Sequence, residues 1–364
     1  MQQLIETKTS NEAIKIKMRV KSTLKECLLQ STQELPFGTE LTKLLLDIAD
    51  CTKDIATLIA EGALADATAK LSTTNVQGET QMQLDVLSND LFITSLEKGG
   101  LVLGAVSEEL DAPYLFIGKE DAPFLVNFDP LDGSSNIAVN GSVGSIFSVL
   151  PSNSLVNHIE INSTDYLQSG HAQIAAGYVL YGPATMLILT VGQGSHGFTL
   201  DVESHEFLLT HPNIQIPQAT SEFAINVSNQ RFWEPPVQRY VTECCTGIDG
   251  VRERDFNMRW VASMVADVHR ILMRGGIYIY PKDCKQPLKA GRLRLLYEAN
   301  PMSFIVEQAS GKSCTGRERI LALSPSQIHQ RVAVIMGSYS EVSLIELYHH
   351  EFDAQLLEEY SLSI

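Results

Sequence analysis

The sequence predicts an α/β (α+β layered) protein with two subdomains, and three observations carry that prediction. Apolar residues repeat at helical spacing in two stretches of the first hundred residues, and short apolar runs of strand length follow them. The texture of the chain then changes near residue 205. Length agrees, since 364 residues exceed one typical core. A hydrophobic content of 44% with 19% charged residues is that of a soluble globular protein.

Residues 1–37 show no clear period before Leu35-Pro36-Phe37 and are expected to form a loose arm. Leu41, Leu44, Leu45, Ile48, Ile55, Leu58 and Ile59 then mark a long amphipathic helix. A second helix fits Leu84, Leu87, Leu91 and Leu96 and stops at Gly99-Gly100. Residues 101–106, 124–128, 143–150 and 175–180 read as strands, and residues 186–191 and 197–202 continue the pattern. Pro212, Pro217, Pro235 and Pro236 mark a boundary or long connection.

Beyond it, Val261, Met264, Val265, Val268, Ile271 and Leu272 form a helix capped by Gly275-Gly276. Residues 277–280 and 293–296 read as strands. Asn300-Pro301 opens another helix, with Asn as cap and Pro at the first position. A final helix covers residues 342–348 and runs on towards Glu359. The expected organisation is an arm (1–37), a metal- and phosphate-binding domain (38–204) and a substrate-binding domain (205–364).

The net charge of −16 argues against a nucleic-acid surface, which needs clustered Lys and Arg. It suits a pocket that collects divalent cations, although surplus acid also serves plain solubility. The six cysteines have no CxxC or zinc spacing, as expected of reduced thiols in a cytoplasmic protein. The polar N-terminus does not read as a signal peptide, and residues 178–191, broken by Gly182-Pro183, are too short to span a bilayer.

The densest chemistry lies in Asn127-Phe-Asp-Pro-Leu-Asp-Gly-Ser-Ser-Asn136. A short buried strand delivers Asp129 and Asp132 into a Pro-Leu turn. Carboxylates hold a hard cation such as Mg²⁺ through oxygen. A Gly-Ser-Ser turn entering a helix offers backbone N–H groups and hydroxyls to a phosphate. The same letters also describe an ordinary turn between strands. Further acids sit at element ends: Glu79 in a turn, Asp85 at a helix start, Glu108-Glu109 after a strand, and Glu298 ahead of Asn300-Pro301. Element ends are where α/β proteins build sites.

Six blocks together carry a resemblance. Residues 75–90 (NVQGETQMQLDVLSND), 106–109 (VSEE), 128–136 (FDPLDGSSN), 176–188 (AGYVLYGPATMLI), 263–270 (SMVADVHR) and 294–302 (RLLYEANPM) resemble class I fructose-1,6-bisphosphatase, in that order. The likeness runs from about Gly38 to about Ser338. Its implications are the sugar-phosphatase fold of alternating helix and sheet layers, and hydrolysis of the 1-phosphate of fructose 1,6-bisphosphate. Metal ligation by Glu79, Glu108, Asp129, Asp132, Glu298 and the carbonyl of Leu131 is implied, with two or more Mg²⁺ per subunit and Mn²⁺ able to substitute. Asp85 and Glu109 are implied to orient and deprotonate the attacking water. Gly133, Ser134 and Ser135, beside Asp132, would hold the phosphate that leaves.

Asn226, Arg259, Tyr280 and Arg292 fall where the family binds the sugar and its 6-phosphate. The arginine matching Arg259 comes from a neighbouring subunit, so a homotetramer is implied. Arginine suits the task because its planar fork grips phosphate oxygens in pairs. His269 is read instead as a structural contact. The chain departs from the animal enzymes at Ala138, Asn229, Trp260 and Arg292, where an aspartate, two tyrosines and a lysine are usual. Pro123-Phe124 and Pro151 stand where the AMP-regulated members carry Lys-Tyr and an arginine, so weak or absent AMP control is expected. Two alternatives remain at this level: a broader bisphosphatase that also cleaves sedoheptulose 1,7-bisphosphate, and a non-catalytic sugar-phosphate-binding homologue.

Overall fold

A computed structural model describes residues 21–62, 70–74, 80–152 and 163–362 of the chain. Helices α1 (Leu24–Ser31), α2 (Gly38–Glu61) and α3 (Gln83–Gly99) form one outer layer, with a short antiparallel pair β1 (Lys70–Thr74) and β2 (Thr80–Met82) ahead of α3. The large sheet follows. It contains β3 (Val102–Ser107), β4 (Tyr114–Leu115), β5 (Phe124–Asp132), β6 (Val143–Pro151), β7 (Ala175–Tyr181), β8 (Thr185–Thr190), β9 (Ser195–Leu200) and β10 (Phe207–His211). Its order is β10-β9-β8-β7-β6-β5-β3-β4, antiparallel except for the β3–β5 pair.

The second sheet is built from β11 (Glu222–Ala224), β12 (Asn257–Met258), β13 (Ile277–Tyr280), β15 (Lys312–Cys314) and β17 (Val334–Gly337), in the order β12-β11-β13-β17-β15. A separate pair joins β14 (Leu293–Arg294) to β16 (Arg331–Val332). The later helices are α4 (Pro235–Thr246), α5 (Met264–Arg274), α6 (Asn300–Gln308) and α7 (Tyr339–Leu362).

Period-2 alternation in the strands explains how these elements stack. Phe147 and Val149 of β6, with Val179 of β7, face α1–α3 and pack with Leu41, Ile48 and Phe92. Ile146, Ala176 and Tyr178 point the other way, against Val265 and Val268 of α5 and Met302 and Ile305 of α6. Tyr278 and Met336 close that layer from the second sheet. Ile277, Ile279 and Ile335 turn outward to meet Val237 and Tyr240 of α4 and Ile345 of α7. Helices, sheet, helices, sheet and helices therefore alternate, the layered α/β arrangement that the sequence predicts. The middle strands are buried along nearly their whole length because both faces are covered.

Several local expectations need correction. Residues 24–31 are helical, not a loose arm. Thr23 and Glu26 form a reciprocal capping box, and Leu24 and Leu28, one turn apart, are buried. Asp129 and Asp132 do not bracket a turn: β5 continues through Pro130-Leu131 to Asp132, and its register against β6 slips between the two aspartates. The strand expected over residues 293–296 ends at Arg294. A π-helical turn (Leu295–Ala299) then runs straight into α6, so Ala299 rather than Asn300 stands at the cap position. Helix α5 begins at Met264 behind a Ser263 cap, not at Val261.

The second half is also held by a buried polar hub. Glu341, 1% exposed, accepts from Tyr240 OH at 2.6 Å, from Arg252 at 2.6 and 2.8 Å, and from Arg254 at 2.6 Å. Removing the carboxylate strands a buried guanidinium. Glu341→Ala should cost about 3–5 kcal/mol in a urea unfolding experiment; a loss below about 1 kcal/mol would show that water repairs the hub.

Candidate active site

Strand ends and helix starts from both sheets converge on a cavity of about 560 Å³. The large sheet supplies most of its acid. Glu108 and Glu109 follow β3 directly, and Ser107 braces that corner by donating to Asn89 of α3 at 2.7 Å. Asp85 lies in the first turn of α3, where the positive end of a helix favours an acid, and it is 4% exposed. Asp129 and Asp132 come from β5 on either side of the register slip. That slip lets both carboxylates serve one site although their positions are an odd number of residues apart. Glu298 enters from the π-helical turn, a distortion that often marks functional positions.

Ligand oxygens of Asp129, Asp132 and Glu298 all lie within 4.8 Å of one another, and the three residues are buried. Burial, followed by the charges of Glu108, Asp132 and Glu298, lifts Asp129 well above the usual carboxylate range. Burial also raises Asp132, opposed by bonds to the backbone N–H of Val265 (3.0 Å) and the hydroxyl of Ser263 (2.8 Å). Glu298 is pushed up to about 8, chiefly by burial, with Arg294 pulling the other way. Arg294 lies among these acids, 3.0 Å from Glu108 and 3.9 Å from Glu298. An oxygen-rich, cation-deficient cluster of this kind fits a hard divalent ion.

The Gly-Ser-Ser turn follows at once. Gly133 has φ +75°, and a Cβ there would stand 2.6 Å from Cβ of Ser263, so only glycine fits. It turns the chain into a 3₁₀ helix (Ser134–Val139) whose first residues, Ser134 and Ser135, line the cavity with Ala138. Asn226, Tyr280 and Trp260 line the wall contributed by the second half. The Trp260 ring stacks on Tyr278 (centroids 5.9 Å, planes 7° apart) and lies 5.9 Å from Tyr280.

The structure thus brings Asp85, Glu108, Glu109, Asp129, Leu131 and Asp132 together with Gly133, Ser134, Ser135, Asn226, Tyr280 and Glu298. Arg259 and Arg292 lie outside that lining. Arg259 is exposed, and Arg292 is half-buried and donates to Asp283 at 3.2 Å. Glu79 falls outside the described residues. His269 meets the hydroxyl of Tyr178 at 2.9 Å, away from the cavity. Sequence reasoning assigned no role to Arg294, Ser263 or Asp267. All three fall inside blocks that carry the resemblance, but a serine at a helix start reads as a cap and nothing more.

Neutralising one member of the acid cluster should stabilise the protein in chelator. Asn at position 129 keeps an acceptor for the N–H of Leu131, which now bonds Asp129 at 2.9 Å, while removing repulsion and desolvation. Asp129→Asn should raise stability by about 0.5–2 kcal/mol in EDTA. A loss of stability there would mean that the carboxylates do not repel one another in the folded protein.

Comparison with known proteins agrees with this architecture. The chain matches the family models for the fructose-1-6-bisphosphatase N-terminal domain over residues 22–212 and C-terminal domain over residues 216–350. The class 1 fructose-1,6-bisphosphatase of Hydrogenophilus thermoluteolus is 54% identical over 337 residues, covering 91% of this chain and 93% of its own. A class 1 relative from Methylibium petroleiphilum is 52% identical over 333 residues, with the same coverage. The crystal structure of Leishmania major fructose-1,6-bisphosphatase in holo form matches with a TM-score of 0.83 at 38% identity, covering 91% of this chain and 99% of that one. The chain therefore belongs to the class 1 fructose-1,6-bisphosphatase family.

Proposed function

We propose that this phosphatase removes the 1-phosphate of D-fructose 1,6-bisphosphate by attack of water, in the cytoplasm, as a step of gluconeogenesis or of a carbon-fixation cycle. One observation carries the reading: six acids and a Gly-Ser-Ser phosphate cradle face an aromatic, amide-bearing wall across one cavity. Glu108, Asp129, the carbonyl of Leu131, Asp132 and Glu298, with Glu79, would hold the divalent cations, two or more Mg²⁺ per subunit, with Mn²⁺ as a substitute. When bound, such cations polarise phosphoryl oxygens and lower the pKa of water.

The side chains divide the remaining work. Asp85 and Glu109, which line the cavity with the cluster, orient the attacking water and accept its proton. Gly133, Ser134 and Ser135 bind the phosphoryl group through the turn that enters the 3₁₀ helix. Asn226 and Tyr280 hold the sugar, and Arg292 and a neighbouring subunit's Arg259 hold the far phosphate. Residues 38–204 would then act as the metal- and phosphate-binding unit and residues 205–364 as the substrate-binding unit. No helix among the described residues is long and apolar enough to cross a membrane.

Phosphate release from fructose 1,6-bisphosphate should require Mg²⁺ or Mn²⁺ and fail in Asp132→Asn, since a lost ligand removes several kcal/mol of transition-state stabilisation. Near-normal turnover in that variant would show that the metal ligands lie elsewhere. Running sedoheptulose 1,7-bisphosphate beside it tests the broader specificity. No release from either sugar would favour the non-catalytic homologue.

Arg259→Ala should raise KM by about one to two decades, the worth of a charge-assisted contact of roughly 1.5–3 kcal/mol. The active species should be a homotetramer. An active monomer, or an unchanged KM, contradicts this.

AMP should inhibit poorly. Phe124 is buried, pairs with Pro151 across β5 and β6, and meets Phe37 edge-on at 6.3 Å where α2 begins. The family resemblance puts the nucleotide phosphate here, so two rings and two prolines would stand where it needs cations. Inhibition at low micromolar AMP would overturn this reading.

A further inference from the structure

The turn at residues 259–263 joins the acid cluster to the aromatic wall in a conformation that its own residues do not favour. Ala262 has φ +67°, the left-handed region that a residue with a Cβ seldom enters. Neighbouring elements hold it there. Asp267, 1% exposed on α5, reaches back so that Oδ1 accepts from the N–H of Val261 (2.9 Å) and Oδ2 from that of Ala262 (3.2 Å). Asn136, just after the phosphate turn, donates its Nδ2 to the carbonyl of Val261 at 3.3 Å. Ser263 donates to Asp132. Trp260, one residue before this clamp, stacks on Tyr278 and approaches Tyr280.

We infer that Asp267 is a positioning residue for the sugar end of the substrate: it clamps the Val261–Ala262 turn and thereby fixes Trp260 as the cavity wall facing the acids. The inference rests on the reading of this cavity as a sugar-bisphosphate site. A carboxylate is the group required, because it only accepts and takes two N–H groups at once. An amide of the same shape offers one acceptor and sets an NH₂ against the second N–H. The plainer reading makes Asp267 an acid in the first turn of α5 that serves only the helix dipole. That role would move stability and leave Trp260 where it is.

The test is Asp267→Asn, made in the wild type and in an Ala262→Gly background, with steady-state kinetics on fructose 1,6-bisphosphate and acrylamide quenching of tryptophan fluorescence. The chain has two tryptophans, and Trp233 is buried, so a change in quenching reports Trp260. The single variant should raise KM about tenfold with kcat within about threefold, because the wall touches the end that does not react. Trp260 emission should shift to the red and become more quenchable. Glycine enters the left-handed region without help, so in that background the KM rise should shrink to about threefold.

Should the single variant not fold, the glycine background supplies both readouts. Unmoved Trp260 fluorescence, an unchanged KM, or equal KM rises in the two backgrounds would overturn the inference. The fluorescence arm needs no turnover. A wild type without activity on this sugar would therefore defeat the proposed substrate, and the clamp would still be tested.

Discussion

Three carboxylates buried within 4.8 Å of one another set the terms for the rest of this structure. In a low-dielectric interior their mutual repulsion is severe, and each is driven toward its protonated form unless a cation offsets it. Among the described residues one guanidinium lies with them, that of Arg294, against Asp129, Asp132, Glu298 and the adjacent Glu108. The imbalance is what a divalent ion would correct. Stability comes from elsewhere, in the apolar interfaces between helix and sheet layers.

Departures from regular geometry gather around that cluster. The register of β5 slips between Asp129 and Asp132, Glu298 rides on a π-helical turn, Gly133 is left-handed, and Ala262 is left-handed without being glycine. Each re-aims a side chain or backbone group toward one cavity, which uniform strands and helices would not do. Position supplies the rest. The ends of β3 and β5 from one sheet and β13 from the other meet at the layer shared by α5, so the acid cluster and the aromatic wall face each other across a junction.

Much of this was legible in the sequence because its physics is local. Short apolar runs marked the strands, Gly99-Gly100 and Gly275-Gly276 marked helix ends, and FDPLDGSSN announced acids beside a Gly-Ser-Ser turn. What failed depended on distant partners. Pro130-Leu131 has the letters of a turn, yet pairing with β6 carries the strand through it. Helix α1 buries only Leu24 and Leu28, too few for a visible period, and the Thr23–Glu26 capping box is the local sign of its start. Asn300-Pro301 reads as a helix start, while the π turn before it leaves no pattern in the letters. Ser263 and Asp267 look like ordinary helix-start residues; their bonds to Asp132 and to the Ala262 turn exist only after folding. The parts given to Arg259 and Arg292 came from the family resemblance, and neither side chain lines the cavity of the single chain.

Anomalous diffraction from crystals grown with Mn²⁺ tests the central claim most directly, since it locates the cation without reference to turnover. A Mn²⁺ peak is expected at roughly 2.0–2.3 Å from carboxylate oxygens of Asp129, Asp132 and Glu298, with the side chain of Arg294 turned away from it. Manganese density that avoids these three residues, with their carboxylates unmoved, would contradict it.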